Sequence, residues 1–514
     1  MNLLRRSARP AGAALAVIAL AVSLAACAPP DRGGSGGEAA PQEGGTLRIA
    51  APGSANDSVD PHINSGSVID LLRTEQLFDN LTKYDENFEL TWQLAESMEA
   101  NETNDVWTIH LRDGVKFHDG SDFGADDVIA SLDRILAPDS TANGASLVSF
   151  IDPAGLTAVD DLTVEVRLAE PYGPFPELWT NKYLRIAPAE FDPQNPVGTG
   201  PFEYKSFTPG TTSVFTRNED YWAGAPLVDE LEIVDFADNA SAINALKGGQ
   251  IDVTYSVPLS EAATVAEVPG LNLLDSETNM YIPITMRTDV APFDDPRVRE
   301  AFKLIADREE LVAVALNGYG AVANDYIGRY SVCEAPDLPQ REQDIERAKE
   351  LLSDAGYADL SVEIATTNGT VGMVEAAQVF SEQAKAAGVT ITVNNMDASV
   401  FLDNYKNWPL SVDFYTDSYL QVANRTLSTG GGSNVTHWSN AEFDGLLRSA
   451  MEESDVDARC QIENEMKTIE YNDSGNIVWG WANVVNAYSD NVHGLVPNAT
   501  GKAVNQLTEV WVDQ

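Results

Sequence analysis

Strand-like and helix-like patterns alternate along this chain. Residues 106–112 and 163–168 place apolar side chains on one face with a period of two, which predicts strands with one face in a core. Between them, Asp126 precedes apolar residues at helical spacing as far as Leu136, which predicts an amphipathic helix capped by Asp126. This alternation favours an α/β fold, in which helices pack against sheets.

The second half of the chain shows the same alternation. Gly356 and Gly388 each end a helical pattern, because glycine adopts the left-handed conformation that ends many helices. Asp295-Pro296 predicts the start of a further helix, since proline in the first turn loses no hydrogen bond. There is no repeat of about 20–50 residues and no long linker after residue 45, so we expect packed lobes between which the chain crosses more than once. The predicted elements are helices at 344–355, 374–387 and 440–470, and strands at 361–366, 389–393 and 477–487.

The net charge narrows the range of partners. Lysine and arginine total 32 against 79 aspartates and glutamates, a formal charge of −47, which repels polyanions and argues against nucleic-acid binding. Such an excess of carboxylates suits a surface kept hydrated in high salt. It suits equally an acidic protein secreted into ordinary medium, and the sequence leaves both interpretations open.

The first forty residues carry signals for export and anchoring. Three arginines precede an apolar, alanine-rich run over 11–26, which predicts a secretory signal peptide in residues 1–26. That run is too short for a confident membrane span. Leu24-Ala25-Ala26-Cys27 resembles the bacterial lipoprotein box, so Cys27 is predicted to carry the lipid, with an ordinary signal and a chance cysteine as the alternative. Residues 27–43 are rich in glycine, proline, serine and alanine, which predicts a flexible tether.

The chain has two further cysteines, Cys333 and Cys460. In an exported protein such a pair more often forms a bridge than stays free, so we predict one disulfide, with two free thiols as the alternative.

Patterns for metal binding and catalysis are missing from the sequence. The five histidines are scattered, with no pair at the helical spacing that directs two imidazoles to one metal. There is no phosphate-binding loop, zinc-type cysteine pair or dinucleotide glycine pattern. We therefore expect no metal and no cofactor, and there is no positive evidence for an enzyme.

From about Gly44 onwards, the chain resembles the solute-binding lipoproteins of ABC importers, the family that includes the dipeptide- and oligopeptide-binding proteins. Its most recognisable motif is the stretch from Trp107 to Ser121. The motifs occur in the family's order over nearly the whole mature chain. The other motifs that carry the resemblance are Gly45 to Ile49, Ser58 to His62, Leu77 to Leu81, Ala125 to Val128, Pro196 to Phe202, Asn218 with Tyr221 and Trp222, Asp294 to Phe302, and Ala348 to Tyr357.

The resemblance implies a two-lobe, periplasmic-binding-protein-like (type II) α/β fold with an extra subdomain inserted in the first lobe. Lobe one would comprise residues 44–285, with the inserted subdomain at about 68–185. Lobe two would comprise residues 286–475, and residues 476–514 would return to lobe one.

The resemblance also implies ligand contacts at two places. Ser65–Ser67 match a segment whose backbone pairs with an extended peptide in the oligopeptide binders. Residues 413–417 match a strand edge that pairs with ligand backbone, and Asp417 matches the residue that holds the peptide's α-ammonium group. The alternative for Asp417 is an ordinary surface carboxylate. The candidate ligand-binding residues are Ser65, Gly66, Ser67, Asp413, Phe414, Tyr415, Asp417, Tyr419, Arg425 and Trp438.

The sequence departs from the family after Asp417. Many relatives continue with Asp-Pro or Glu-Pro, whereas this chain runs from Ser418 to Arg425 without that pair. Arg425 would face a ligand carboxylate or form a salt bridge with Asp417. Aromatic side chains at Tyr415, Tyr419 and Trp438 would line the pocket. Nickel-binding relatives would favour a histidine here, and none lies between positions 413 and 436.

Together these features predict a lipid-anchored receptor on the extracytoplasmic face of the cell membrane. It would be a monomer that captures peptides between two closing lobes and delivers them to an ABC permease with ATPase subunits. The alternatives are the same receptor class for an oligosaccharide or another solute, a secreted hydrolase of peptides or glycans, and a sensor that presents its ligand to a membrane receptor.

Overall fold

Strands and helices alternate along most of the computed structural model, which describes residues 40–368 and 370–514. The predicted signal peptide, Cys27 and nearly all of the predicted tether lie outside the described residues. The helices are α1 (Val68–Leu77), α2 (Ala125–Leu136), α3 (Phe175–Leu178), α4 (Asn239–Lys247), α5 (Leu259–Ala266), α6 (Pro296–Ile305), α7 (Arg308–Ala315), α8 (Ile345–Asp354), α9 (Met373–Lys385), α10 (Ala398–Asp403), α11 (Tyr419–Thr426), α12 (Ala441–Glu452) and α13 (Val456–Asp473).

The strands build two large sheets and several smaller ones. The first twelve are β1 (Thr46–Pro52), β2 (Thr82–Tyr84), β3 (Leu90–Trp92), β4 (Ala95–Ala100), β5 (Val106–Leu111), β6 (Ile151–Asp160), β7 (Thr163–Leu168), β8 (Phe202–Thr208), β9 (Thr212–Arg217), β10 (Glu230–Phe236), β11 (Val253–Thr254) and β12 (Leu271–Ser276). The others are β13 (Ile284–Met286), β14 (Gly320–Val322), β15 (Ser361–Thr367), β16 (Thr390–Met396), β17 (Leu410–Val412), β18 (Asn476–Ile477), β19 (Gly480–Ala482), β20 (Val484–Ser489), β21 (Val492–His493) and β22 (Trp511–Val512).

The chain passes between the two large sheets more than once. A seven-stranded sheet has the order β12-β20-β11-β1-β10-β9-β8, and a five-stranded sheet has the order β16-β15-β17-β13-β18. Strand β1 is parallel to β10 and β11, whereas β20 from the end of the chain lies antiparallel between β11 and β12. The chain therefore leaves the seven-stranded sheet after β12 and returns to it at β20, as the packed-lobe expectation requires.

A four-stranded sheet of order β4-β5-β7-β6 has its own core. The period-two pattern is confirmed, because Trp107, Ile109 and Leu111 of β5 are buried together with alternate residues of β7. Helix α2 packs its apolar face, including Val128 and Leu132, into the same core.

The start of α2 differs from the prediction. Asp126 was expected to cap the helix, but the cap is Gly124 and Asp126 lies in the first turn. The reason is that the helix begins two residues earlier, where the carboxylate of Asp127 in the first turn accepts the Gly124 N–H at 2.9 Å and fixes the helix start at Gly124. Both acidic residues then lie near the positive end of the helix dipole.

Long-range contacts tie the four-stranded sheet region to α12 and α13. The Gly173 N–H donates to the carbonyl of Met451 at 2.7 Å, and Arg459 forms an ion pair with Glu177. A side chain at position 173 would collide with the backbone of Glu453, so glycine is required for this close approach.

Cys333 and Cys460 form a disulfide, with a sequence separation of 127 and Cα atoms 5.0 Å apart. This agrees with the pairing predicted from the sequence, and it joins the segment after β14 to α13. None of the helices in the described part of the chain is long and apolar enough to cross a membrane.

Candidate functional site

A cleft with a cavity of about 240 Å³ is lined by residues from both halves of the chain. One wall comes from residues 75–93 and 180–185 and from residues 500–508 near the end of the chain. The opposite wall comes from Thr416 to Gln421, which follow β17 of the five-stranded sheet. Segments that are hundreds of residues apart in sequence therefore meet around one enclosed space.

The segment 413–417 continues the direction of β17 and presents a backbone edge. The N–H and C=O of Tyr415 pair with the C=O and N–H of Tyr281, at 3.1 and 3.0 Å. Because backbone groups of successive strand residues point to opposite sides, Phe414 and Thr416 direct theirs away from Tyr281. Within residues 40–368 and 370–514, no hydrogen bond engages the Thr416 N–H or the carbonyls of Phe414 and Thr416. This edge has the hydrogen-bonding groups that an added strand needs.

Asp413 is buried, and its carboxylate holds neighbouring side chains in place. Its carboxylate accepts a hydrogen bond from the Tyr405 hydroxyl at 2.6 Å and another from the Tyr415 hydroxyl. Burial raises the pKa of Asp413, while the two hydroxyl donors act in the opposite direction. These contacts hold the Tyr415 ring under the strand edge, and they leave Asp413 out of the cleft wall.

Asp417 lines the cleft and pairs with Arg425. The Arg425 guanidinium lies 3.1 Å from the Asp417 carboxylate, with side chains that are 45% and 35% exposed, respectively. Of the two roles considered for Arg425, the structure contains the salt bridge. Arg425 also lies over the Tyr415 ring at 5.7 Å. Because this pair is exposed, a ligand ammonium group can compete with Arg425 for the carboxylate at small energetic cost.

Ser65, Gly66 and Ser67 lead into helix α1. Ser67 caps the helix, and its own N–H donates to the Ser65 hydroxyl. The Ser65 N–H donates to Asp70, and the Gly66 N–H donates to Asn64. The three N–H groups are therefore engaged locally, and the Ser67 carbonyl accepts the Leu71 N–H at 3.1 Å, which leaves the carbonyl oxygens of Ser65 and Gly66 as the backbone groups available for a ligand.

Gly66 places this segment against the cleft wall. Its φ of +72° lies in the left-handed region, and a side chain there would meet the Tyr183 hydroxyl at 2.8 Å. Tyr183 in turn packs under the ammonium group of Lys182, 5.3 Å from the ring centre. The predicted segment 65–67 thus lies behind the wall formed by 180–185 rather than in its lining.

Three further candidate ligand-binding residues, Tyr419, Trp438 and Phe414, lie outside the cavity lining. Tyr419 and Trp438 are 1% and 2% exposed and belong to one apolar cluster with Phe443, so the structure does not bring them to the cleft. The Trp438 indole N–H donates to Asp473 at 3.1 Å. Phe414 is 45% exposed beside the open strand edge, although it is outside the cavity lining.

Basic side chains on the first wall were missed by sequence reasoning. Arg185 is buried and shares Glu75 with Lys502, at 3.2 and 3.7 Å from the same carboxylate oxygen. Burial acts to raise the pKa of Glu75, but Lys502 and Arg185 bring that pKa below its usual value. Lys182 and Lys83 also line the cavity. The sequence signal that points to them is the rarity of lysine in so acidic a chain.

Asp79 lies at the base of the same wall and is bound by neutral groups. Its carboxyl group accepts hydrogen bonds from Gln93, Thr199, Tyr221 and Trp222, at 2.6 to 3.1 Å. Burial raises the pKa of Asp79 to about 6, while the hydrogen bonds act in the opposite direction. Asp79 therefore belongs to a fixed network of neutral hydrogen-bond donors in this wall.

No group of three or more histidine, cysteine or acidic side chains in the described ranges is arranged to hold a metal ion.

Comparison with known proteins identifies the relatives of this chain. Residues 89–436 match the family described as "Bacterial extracellular solute-binding proteins, family 5 Middle". The glutathione-binding protein GsiB of Salmonella typhimurium is 26% identical over 483 residues, covering 87% of this chain and 91% of GsiB.

Solved structures share the fold of this chain. The ABC transporter substrate-binding protein CtaP of Listeria monocytogenes matches with a TM-score of 0.82 at 20% identity, over 92% of this chain and 100% of CtaP. The oligopeptide-binding protein AppA of Bacillus subtilis, in complex with a nonapeptide, matches with a TM-score of 0.71 at 22% identity, over 92% of this chain and 100% of AppA. The predicted α/β, two-lobe binding-protein fold is confirmed by these matches.

Proposed function

This chain belongs to the bacterial extracellular solute-binding proteins of family 5, and on that premise we propose that its ligand is a peptide held in the cleft. Members of this family are extracytoplasmic receptors of ABC importers, so the chain is a solute receptor and not an enzyme. Its partners are a membrane permease and the ATPase subunits that power transport. The receptor itself hydrolyses nothing.

The observation that carries the peptide proposal is the open backbone edge beside Asp417. An extended peptide adds to such an edge as a strand, because main-chain hydrogen bonds form with any side-chain sequence. The Thr416 N–H and the carbonyls of Phe414 and Thr416 would supply these bonds. The Asp417 carboxylate, in the cavity lining, would bind the α-ammonium group and set the register of the peptide.

Closure of the lobes would couple binding to delivery. The two walls of the cleft come from different proposed lobes, with Thr416 to Gln421 in lobe two and the other wall in lobe one, so a peptide that contacts both favours the closed arrangement over the open one. The closed form would then be the state that the permease recognises.

A second candidate ligand is glutathione, a modified tripeptide with a free amino group. GsiB, which aligns with most of this chain, is named for glutathione binding, whereas AppA was solved with a nonapeptide. Both ligands offer an ammonium group for Asp417 and peptide backbone for the open edge. They differ in length, and the cavity of about 240 Å³ suits the shorter ligand better.

Thermal-shift screening of the chain from residue 28 tests the proposed function. Because a ligand that binds only the folded state raises the melting temperature by mass action, we expect a rise with pooled di- to pentapeptides or with glutathione. At a ligand concentration of about 100 times Kd, the stabilisation is about 2.7 kcal/mol. A rise only with oligosaccharides or nickel would keep the receptor class and contradict the peptide assignment.

We further propose that lipid on Cys27 anchors the receptor at the outer face of the cell membrane. Several acyl chains give stable anchoring where a single chain does not. Replacing Cys27 with serine should therefore release the protein into the medium, which immunoblotting of membrane and medium fractions measures. Retention of the Cys27→Ser variant in the membrane fraction would contradict lipidation, and the unmodified chain is the control.

We also propose the domain limits that the resemblance implies, with lobe one at 44–285 and 476–514, its inserted subdomain at about 68–185, and lobe two at 286–475. The sheet order supports most of these limits, because β1, β8 to β12 and β20 share one sheet, while β13 and β15 to β17 belong to the other. Strand β18 also belongs to that second sheet and β19 pairs with β14, so the return to the seven-stranded sheet comes at β20, a few residues after position 476. The separate four-stranded sheet at 95–168 supports the insertion.

A further inference from the structure

Lysine is concentrated around the cleft. The whole chain has eleven lysines among 514 residues, and three of them, Lys83, Lys182 and Lys502, line this one cavity. With Arg185, the lining carries four cationic side chains against three acidic ones, whereas the chain as a whole has 32 against 79. The cleft therefore reverses the charge balance of the protein that surrounds it.

The acidic side chains of the lining are already engaged. Glu75 is shared between Arg185 and Lys502, and Asp417 pairs with Arg425. Asp79 accepts hydrogen bonds from four neutral donors. None of these three carboxylates lies within salt-bridge distance of Lys83 or Lys182.

Lys182 is the more informative of these two lysines. Burial lowers its pKa, and the neighbouring cations Lys502 and Arg185 lower it further, while Asp417 acts in the opposite direction. Desolvating an ammonium group without a bound counter-ion is unfavourable, and an anion placed beside it would offset that cost. The opposite wall supplies Asp417, which pairs with Arg425 and is not within salt-bridge distance of Lys182.

We propose that the ligand is an acidic peptide, which carries at least one carboxylate beyond its C-terminal group and places it against Lys182 and Lys83. This inference rests on the proposed function, because it names the class of peptide that the same cleft selects. The ammonium end would face Asp417 on one wall, and the carboxylates would face the lysines on the other. Such a division of charge across the cleft would select against basic peptides.

Calorimetric titration with matched tripeptides tests this inference. Each pair carries glutamate or glutamine at the second or third position, with alanine elsewhere, so the members differ in charge and hardly in shape. We expect at least one glutamate peptide to bind about tenfold more tightly than its glutamine partner, because a hydrogen bond to a charged group is the stronger kind. The preference should weaken as salt is raised, since added ions screen the interaction.

Substitution of Lys182 locates the effect. In Lys182→Met the preference for the glutamate peptide over its glutamine partner should fall below about threefold. Lys385→Met is the matched control, because Lys385 is an exposed lysine on α9 that pairs with Glu382 and lies outside the cavity lining. It should keep the full preference.

The outcomes separate this inference from the function on which it rests. Equal affinity for the glutamate and glutamine peptides overturns the acidic-ligand inference and leaves the peptide receptor intact. A preference that survives in Lys182→Met overturns the role of Lys182. Failure of every tripeptide and of the longer peptide pools to bind overturns both the inference and the proposed function.

Discussion

Replacing Arg73 with methionine is expected to lower the free energy of unfolding by about 3–5 kcal/mol. Arg73 in α1 is fully buried, and its guanidinium contacts Asp57 at 3.1 Å, Asp70 at 3.3 Å and also Asp235. Its Nε–H donates to Ser213 at 2.9 Å. Methionine keeps much of the volume but leaves three carboxylates buried without their cation, and an unpaired buried charge is far more costly than an unpaired surface charge.

Urea unfolding followed by circular dichroism measures this effect. The matched control is Arg347→Met, because Arg347 lies on the exposed face of α8 with a side chain that is 48% exposed and an ion pair to Glu350. An exposed pair of this kind contributes roughly 0–1 kcal/mol. A loss in Arg73→Met no larger than that in Arg347→Met would show that the buried cluster contributes little to stability.

The Arg73 cluster also bears on the site. Asp70 accepts the Ser65 N–H and hydroxyl as well as the Arg73 guanidinium, so the cluster fixes the segment 65–67 at the start of α1. Through Gly66, that segment supports Tyr183 and the wall that carries Lys182. Loss of Arg73 should therefore disturb the cleft as well as the core.

Local sequence patterns predicted the elements because each pattern reflects the face that a single element buries. Alternate burial of Val164, Val166 and Leu168 in β7 is an example. The Asp295-Pro296 pair likewise marks the start of α6, where the Asp295 carboxylate accepts the Arg297 N–H at 2.9 Å. The cap of α2 was misplaced because Asp126 and Asp127 are both acidic, and only the fold decides which carboxylate reaches the Gly124 N–H.

Residues of the cleft could be predicted only at positions that match a ligand-binding motif of the family. Asp417 lines it, and the ion pair with Arg425 was one of two open alternatives because the two residues are close in sequence. Burial of Tyr419 and Trp438 depends on packing against α12 and α13, which no local pattern records. No local pattern predicts the lysines of the cavity lining, because only long-range folding brings residues from position 83 to position 502 together.

Replacing Asp417 with alanine is expected to weaken the binding of free-amine peptides by about 1.5–3 kcal/mol, the range for a hydrogen bond to a charged group. N-acetylated peptides should lose less, since they have no ammonium group for Asp417 to bind. The variant should fold normally, because the Asp417–Arg425 pair is exposed and contributes little to stability. Asp359→Ala, at an exposed carboxylate outside the cavity lining, is the matched control and should bind as the unmodified chain does.

Calorimetric titration of one peptide in its free-amine and N-acetylated forms, against the unmodified chain and Asp417→Ala, therefore tests most directly whether this cleft binds peptides by their amino end. The account predicts a large loss of affinity in the variant for the free amine and a small one for the acetylated form. Equal losses for the two forms, or no loss for either, would contradict it.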